Sequence, residues 1–290
     1  MINIICTSQA EHLVKLLKKD KKNFRIIKNG KNKDKKRYFP DGEIYARLEG
    51  IKNPEGRTIV IHSGMPRPND GLMELKMVLE ILKERSIKPE VFFTYFAYGM
   101  QDHADQAGAL NTAENILKEL TTYYAVQKIW TVDAHFWGRD FTNNYPIKNL
   151  SAVDLLKAEA QKTNPDMVFI TPDVGSQRRT GISGVEKQRL NSFETQMKEE
   201  SGQWLSSAVK DRNVGVVDDL LETGGTMAKF YDECKSREAK KVVALITHGV
   251  LPKGIKRIAE KYDGLYLTNT IKNKSANIDI SGLINEVLRG

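Results

Sequence analysis

The 290-residue chain, 40% hydrophobic and 28% charged with a net charge of +8, is globular in composition and long enough for two domains that each bury a core. No apolar run approaches a membrane span, and Cys6 and Cys234 are too few for a disulfide framework or, without further ligands, a metal site. The lysine runs 18–22 and 31–36 contain no aromatic residue, which favours solvated loop and helix ends over a nucleic-acid patch, and polyanionic small substrates account for the remaining positive charge.

Residues 2–6 open as a strand with no basic leader before them, so no signal peptide is expected and the expected setting is cytoplasmic and reducing. A helix over 11–18 and a strand over 24–27 follow. Arg37-Tyr38-Phe39-Pro40-Asp41-Gly42-Glu43 sets a ring and two acids around a Pro/Gly turn, and Ile44, Ala46 and Leu48 then alternate as in a strand. This is either a plain hairpin turn or a place where Phe39 stacks on a base and a carboxylate accepts an exocyclic amine. Next come a strand over 58–62, a helix over 71–85 with Leu72, Leu75, Val78, Leu79 and Leu82 on one face, and a strand over 91–96. A helix over 107–120 and a strand over 128–132 lead into Asp133-Ala134-His135, where the histidine is either a satisfied core-edge residue or a ligand. After a boundary near 148, strands over 167–171, 214–217, 241–246 and 265–268 alternate with helical spacing, and 280–288 closes as a helix. The alternation predicts an α/β fold of two similar domains, 1–148 and 149–290, each an open, mainly parallel sheet flanked by helices.

The most informative stretch is 214–226. An apolar strand runs into Asp218 and Asp219, then into Thr223-Gly224-Gly225-Thr226, and helical spacing resumes at Met227. Glycines allow close backbone approach, a helix start leaves N–H groups unpaired, and the threonines add hydroxyl donors, so the loop suits a monophosphate. Carboxylates cannot hold phosphate, so Asp218 and Asp219 suit vicinal hydroxyls, directly or through Mg2+. Phosphate beside a diol points to a ribose phosphate. No Walker A or dinucleotide glycine motif is present.

This stretch closely resembles the phosphoribosyl pyrophosphate (PRPP) loop shared by type I phosphoribosyltransferases and ribose-phosphate pyrophosphokinases. Phe39 to Glu43 resembles the adenine-binding Phe-x-Asp-Gly-Glu motif of the pyrophosphokinases, and Pro68-Asn69-Asp70 a turn of the same family. Gln101 and Asp102 match its Arg-Gln-Asp-Arg segment, but Met100 and His103 stand where the family carries arginines for ATP phosphates. Asp133-Ala134-His135 and Thr171-Pro172-Asp173 resemble its metal-site turns, and Pro146 to Leu150, Thr247-His248-Gly249 and Thr268 to Ile271 resemble further landmarks.

The resemblance implies two tandem phosphoribosyltransferase-like domains and an ATP-binding, magnesium-dependent transferase of nucleotide biosynthesis. Phe39, Asp41, Glu43, Gln101, Asp102 and His103 would bind ATP, and His135 and Asp173 would hold Mg2+. Asp218, Asp219, Thr223, Gly224, Gly225 and Thr226 would bind ribose phosphate. Lys187 and Arg189 would be the catalytic cations, with Arg178 and Arg179 able to share that role across a shortened segment at 176–210. The acceptor would be ribose 5-phosphate, alternatively ADP-ribose, and the assembly a homodimer or homohexamer. A non-catalytic regulatory subunit and a PRPP-consuming phosphoribosyltransferase are the other readings.

Overall fold

The computed structural model describes residues 2–17, 24–51, 56–185, 187–189, 195–197 and 199–289; for 187–189, 195–197 and 199–201 it describes the backbone alone. Two units result. Unit 1 is Met1–Leu150 with Thr270–Lys272 and Ser281–Gly290, and unit 2 is Ser151–Asn269 with Asn273–Ile280.

Unit 1 holds β1 (Ile2–Cys6), α1 (Glu11–Leu17), β2 (Phe24–Asn29), β3 (Leu48–Glu49), β4 (Thr58–Ser63), α2 (Pro68–Lys83), β5 (Glu90–Tyr95), α3 (Thr112–Thr122), β6 (Lys128–Val132) and β7 (Ile147–Leu150). The sheet order is β3-β2-β1-β4-β5-β6-β7, parallel except where β3 runs against β2. Chain direction across the sheet reverses between β1 and β4, the kind of switch beside which open α/β sheets bind ligands at their carboxyl edge. On α2, Leu75, Val78, Leu79 and Leu82 recur at helical spacing and are fully buried against β4 and β5 residues such as Val60 and Phe93. Each such side chain contributes about 1.5–3 kcal/mol by leaving water.

Helix limits depart from the sequence expectation where turn chemistry intervenes. Helix α2 starts three residues early because Pro68 presets its first-turn φ, and it ends before Ser86, whose φ is 56°. Helix α3 begins only at Thr112, because Gly108 (φ 83°) turns the chain and Asn111 then caps the helix by accepting from Glu114 N at 3.0 Å.

Unit 2 holds α4 (Val153–Thr163), β8 (Val168–Ile170), α5 (Val174–Thr180), β9 (Lys187–Arg189), β10 (Thr195–Met197), α6 (Glu199–Val209), β11 (Asn213–Leu221), α7 (Gly225–Ser236), β12 (Lys241–Gly249), α8 (Pro252–Lys261) and β13 (Leu265–Leu267). Its main sheet is β13-β12-β11-β8, all parallel, and β9 pairs antiparallel with β10 as a separate ribbon. Along β12, Val242, Ala244 and Ile246 enter one core with α7 and α8, while Val243 and Leu245 enter another with α4. That period of two puts apolar layers on both faces, as a buried parallel strand requires.

The chain ends in α9 (Ser281–Arg289), which belongs to unit 1 and packs beside α1; Arg57 Nη1 donates to Val287 O at 2.8 Å. Among the described residues no helix is long and apolar enough to cross a membrane.

Candidate functional site

In unit 2 the ladder between β11 and β12 continues through Asp218–Ile246 and Leu220–His248 to Leu221–Gly249. The strand therefore does not stop at Val217, as expected from its apolar run, but carries both acids as strand residues. Asp219 is 1% exposed, and a carboxylate that deep needs a counter-ion. Arg179, on α5, supplies it: Nε and Nη2 both lie 2.8 Å from Asp219 Oδ1, and Nη2 is 4.0 Å from Asp218 Oδ1. In this structure the Arg179 guanidinium is engaged by the two acids.

Asp173 caps α5, its Oδ1 accepting from Ser176 N at 2.8 Å. Ser176 in turn donates its hydroxyl to Asp218 Oδ1 at 2.7 Å, so cap, serine and first acid form one chain of bonds. Burial, then the neighbouring carboxylate of Asp219 and further off that of Asp173, hold the Asp218 carboxyl well above the usual carboxylate range, although the Ser176 bond opposes this. A carboxyl raised in the folded state stabilises that state when protonated, at low pH, and the contribution is lost as pH rises through its folded pKa. We expect the stability of unit 2 without divalent ion to fall as pH rises through that region, and Asp218→Asn to flatten the slope. Urea denaturation at a series of pH values, read in both proteins, checks this.

The loop after β11 is built for close approach. Gly224 has φ 72°, and a Cβ there would meet Ile258 Cγ1 at 3.1 Å and Gly254 O at 3.3 Å. No side chain caps α7, which leaves its first-turn N–H groups for an anion, and Thr223 and Thr226 are exposed beside them. Helix α8 holds the loop from behind: Arg257 Nη1 donates to Thr223 O at 3.0 Å, and a Cβ on Gly254 would collide with the backbone carbonyl of Glu222. Gly254→Ala is accordingly expected to cost about 1–3 kcal/mol by overpacking and to weaken binding of a phosphate-bearing ligand at this loop. Urea denaturation of the variant, beside calorimetric titration with a phosphate monoester, measures both effects.

In unit 1, Phe39 and Glu43 sit on a tight turn closed by Phe39 N to Glu43 O (2.8 Å) and Gly42 N to Phe39 O (3.0 Å), with Gly42 at φ 95°. Asp41 Oδ1 accepts from Glu43 N at 3.1 Å, while Phe39 is 40% exposed and packs its edge 6.0 Å from Tyr45. Arg37 anchors this turn by donating to Gly30 O, Asn29 O and Tyr45 O, beside the fully buried Glu74. The exposed ring is therefore held by a buried polar hub and not by its own packing.

His135 is half-buried on the turn after β6, which Asn149 pins by accepting from Ala134 N and Thr131 Oγ1, both at 2.9 Å. Asp102, 4% exposed on the turn after β5, accepts from Arg139 Nε at 2.6 Å and Nη2 at 3.1 Å and meets His103 Nδ1 at 2.7 Å. Burial alone would raise this carboxyl, but the bonds from Arg139 and His103 outweigh it and hold the pKa below the usual value. Gln101 is exposed; its Oε1 accepts from Thr112 Oγ1 at 2.6 Å, and Met100 is 48% exposed.

The acids and loop of 218–226 thus come together with Asp173 in unit 2, and Gln101, Asp102 and His103 in unit 1. Lys187 and Arg189 lie on β9, and their side chains are outside the described residues. Ser176, Arg139 and Gly254 carry roles that no motif announced. A glycine inside the helical spacing of 252–261 was the one available signal, since such a glycine often marks close packing.

The family described as the N-terminal domain of ribose phosphate pyrophosphokinase matches residues 5–123. The ribose-phosphate pyrophosphokinase of Pyrococcus furiosus is 30% identical over 259 residues, covering 83% of this chain and 87% of that protein. The enzyme of the same name from Thermococcus kodakarensis is 29% identical over 255 residues, with the same two coverages, 83% and 87%. The crystal structure of phosphoribosylpyrophosphate synthetase from Mycobacterium smegmatis superposes with a TM-score of 0.81 over 99% of this chain and 97% of that one, at 22% identity, and shares the fold.

Proposed function

Because the chain belongs to the ribose-phosphate pyrophosphokinase family of diphosphotransferases, we propose that it moves the β,γ-pyrophosphate of ATP onto the anomeric 1-hydroxyl of ribose 5-phosphate, giving PRPP and AMP. The observation that carries this reading is the pairing, in one unit, of an acid-bearing strand end with an uncapped helix start behind a left-handed glycine. The α7 N–H groups and the Thr223 and Thr226 hydroxyls bind the 5-phosphate, and the ribose hydroxyls are met by Asp218 and, once Arg179 yields to the ligand, by the buried Asp219. On unit 1, Phe39 stacks on adenine and Glu43, beside Asp41, accepts its amine.

The 1-hydroxyl oxygen bonds to the β-phosphorus, the bond from that phosphorus to the α,β-bridging oxygen breaks, and the bridging oxygen leaves with AMP; the hydroxyl proton goes to solvent. Lys187 and Arg189 meet the charge on the group in flight. Among the described residues no three His, Cys, Asp or Glu side chains gather into a closed metal cage. Mg2+ fits such a surface, because it is ordinarily held by one or two carboxylates plus substrate phosphates, and the crowding that raises Asp218 is one that a divalent cation relieves. His135 in unit 1 and Asp173 in unit 2 are each proposed to hold a divalent ion within their own unit, and bound Mg2+ would neutralise charge that develops in the transfer.

The exposed Phe39 also supports completion of the nucleotide site by a second copy of the chain, in a homodimer or homohexamer; a monomer in light scattering that binds ATP fully removes that part. Incubating the protein with ATP, Mg2+ and either ribose 5-phosphate or ADP-ribose, with products read by mass spectrometry, tests the whole. AMP and PRPP from ribose 5-phosphate is the expected result. Turnover only with ADP-ribose moves the acceptor assignment, and none with either overturns the reading.

A further inference from the structure

We infer that Arg139, held by Asp102 and flanked by His103, is the cation of unit 1 that meets the phosphate chain of ATP. The inference rests on the reading that this unit binds ATP, and adds the residue that reads the phosphates. Asp102 is a buried carboxylate at the carboxyl edge of the sheet, and it takes up Nε and Nη2 of one guanidinium and Nδ1 of one imidazole. Those three bonds use only the inner edges of the two donors. Nη1 of Arg139 and Nε2 of His103 are left without a partner among the described residues, on side chains that are 36% and 59% exposed.

A guanidinium so clamped loses little rotamer freedom when an anion arrives, and its outer N–H groups match phosphoryl oxygens in geometry. The neighbourhood is mixed in sign, since Asp140 follows Arg139 and Glu114 stands in the first turn of α3. Gln101 O accepts from Ala113 N in the first turn of α3, so the positive end of an 11-residue helix packs on the same turn. Met100, two positions before Asp102 in sequence, is neutral and 48% exposed, so it supplies no charge of its own. Asp102 itself, an acceptor, is a positioning residue.

The test is calorimetric titration of the full chain with ATP, without sugar acceptor, and separately with adenosine. Arg139→Lys keeps a counter-charge beside Asp102, so the measurement does not depend on Arg139→Ala folding. The expected result is ATP affinity weakened about ten- to hundredfold in both variants, with adenosine affinity unchanged and a smaller loss in His103→Ala. Equal weakening of ATP and adenosine would mean that the pair only supports the fold, and unchanged ATP affinity would overturn the assignment outright. If the unaltered protein binds ATP no more tightly than adenosine, the functional reading itself fails. If it discriminates and Arg139→Lys discriminates equally, only the role of Arg139 falls.

Discussion

Replacing Arg179 with alanine is expected to destabilise unit 2 by about 3–5 kcal/mol, because it takes from the buried Asp219 carboxylate the guanidinium that reaches it through both Nε and Nη2. Trp204, on α6 in the same unit, reports the transition by fluorescence in urea once Trp130 and Trp137 are replaced by Phe. Arg179→Met combined with Asp219→Asn removes both charges and should cost less than the two single changes added, since they share one interaction. A transition-state role for Arg179 predicts something different: intact stability with turnover lost. A double Arg178→Ala, Arg179→Ala variant is for this reason a test of folding first, and its activity is interpretable only beside its melting curve.

Lys187→Ala or Arg189→Ala should lower turnover about 10²–10³-fold while ATP still binds. The two hold alternate positions on β9, with Gln188 between them. Stopped assays of AMP formation, set beside calorimetric ATP affinity for each variant, separate the two effects. Rates within about twofold of the parent in both would remove them from the chemistry, because loss of a donor that acts only in the transition state cannot leave kcat untouched.

Much of the arrangement was legible in the sequence because the informative signals are local. An apolar run ending in two acids and a Thr-Gly-Gly-Thr turn names a strand, a loop and a helix start within thirteen consecutive residues, 214–226. The hydrogen bonds that close the Phe39 turn likewise run within one short segment, although its anchor, Arg37 beside Glu74, does not. What stayed hidden depends on partners far apart in the chain. Ser176 meets Asp218 across 42 positions, Arg179 meets Asp219 across 40, and Arg139 meets Asp102 across 37. No periodicity reports such pairs, since each arises only when neighbouring strands of a sheet bring their ends level. The same reason explains why β11 outran its apolar stretch. A strand lengthens through charged residues when a partner strand supplies the ladder and another element supplies the counter-ion, and neither is visible in the strand's own composition.

The return of α9 to unit 1 makes unit 2 an insertion along the chain. The first 150 residues build a seven-stranded sheet but leave Arg57 without its Val287 carbonyl and α1 without its neighbouring helix until 281–289 have been made. In order of synthesis, unit 2 is complete once residue 280 has been made, whereas unit 1 still needs 281–289. The half that starts first is thereby the half that finishes last, and a fragment cut at residue 150 would model a stage of synthesis rather than a domain.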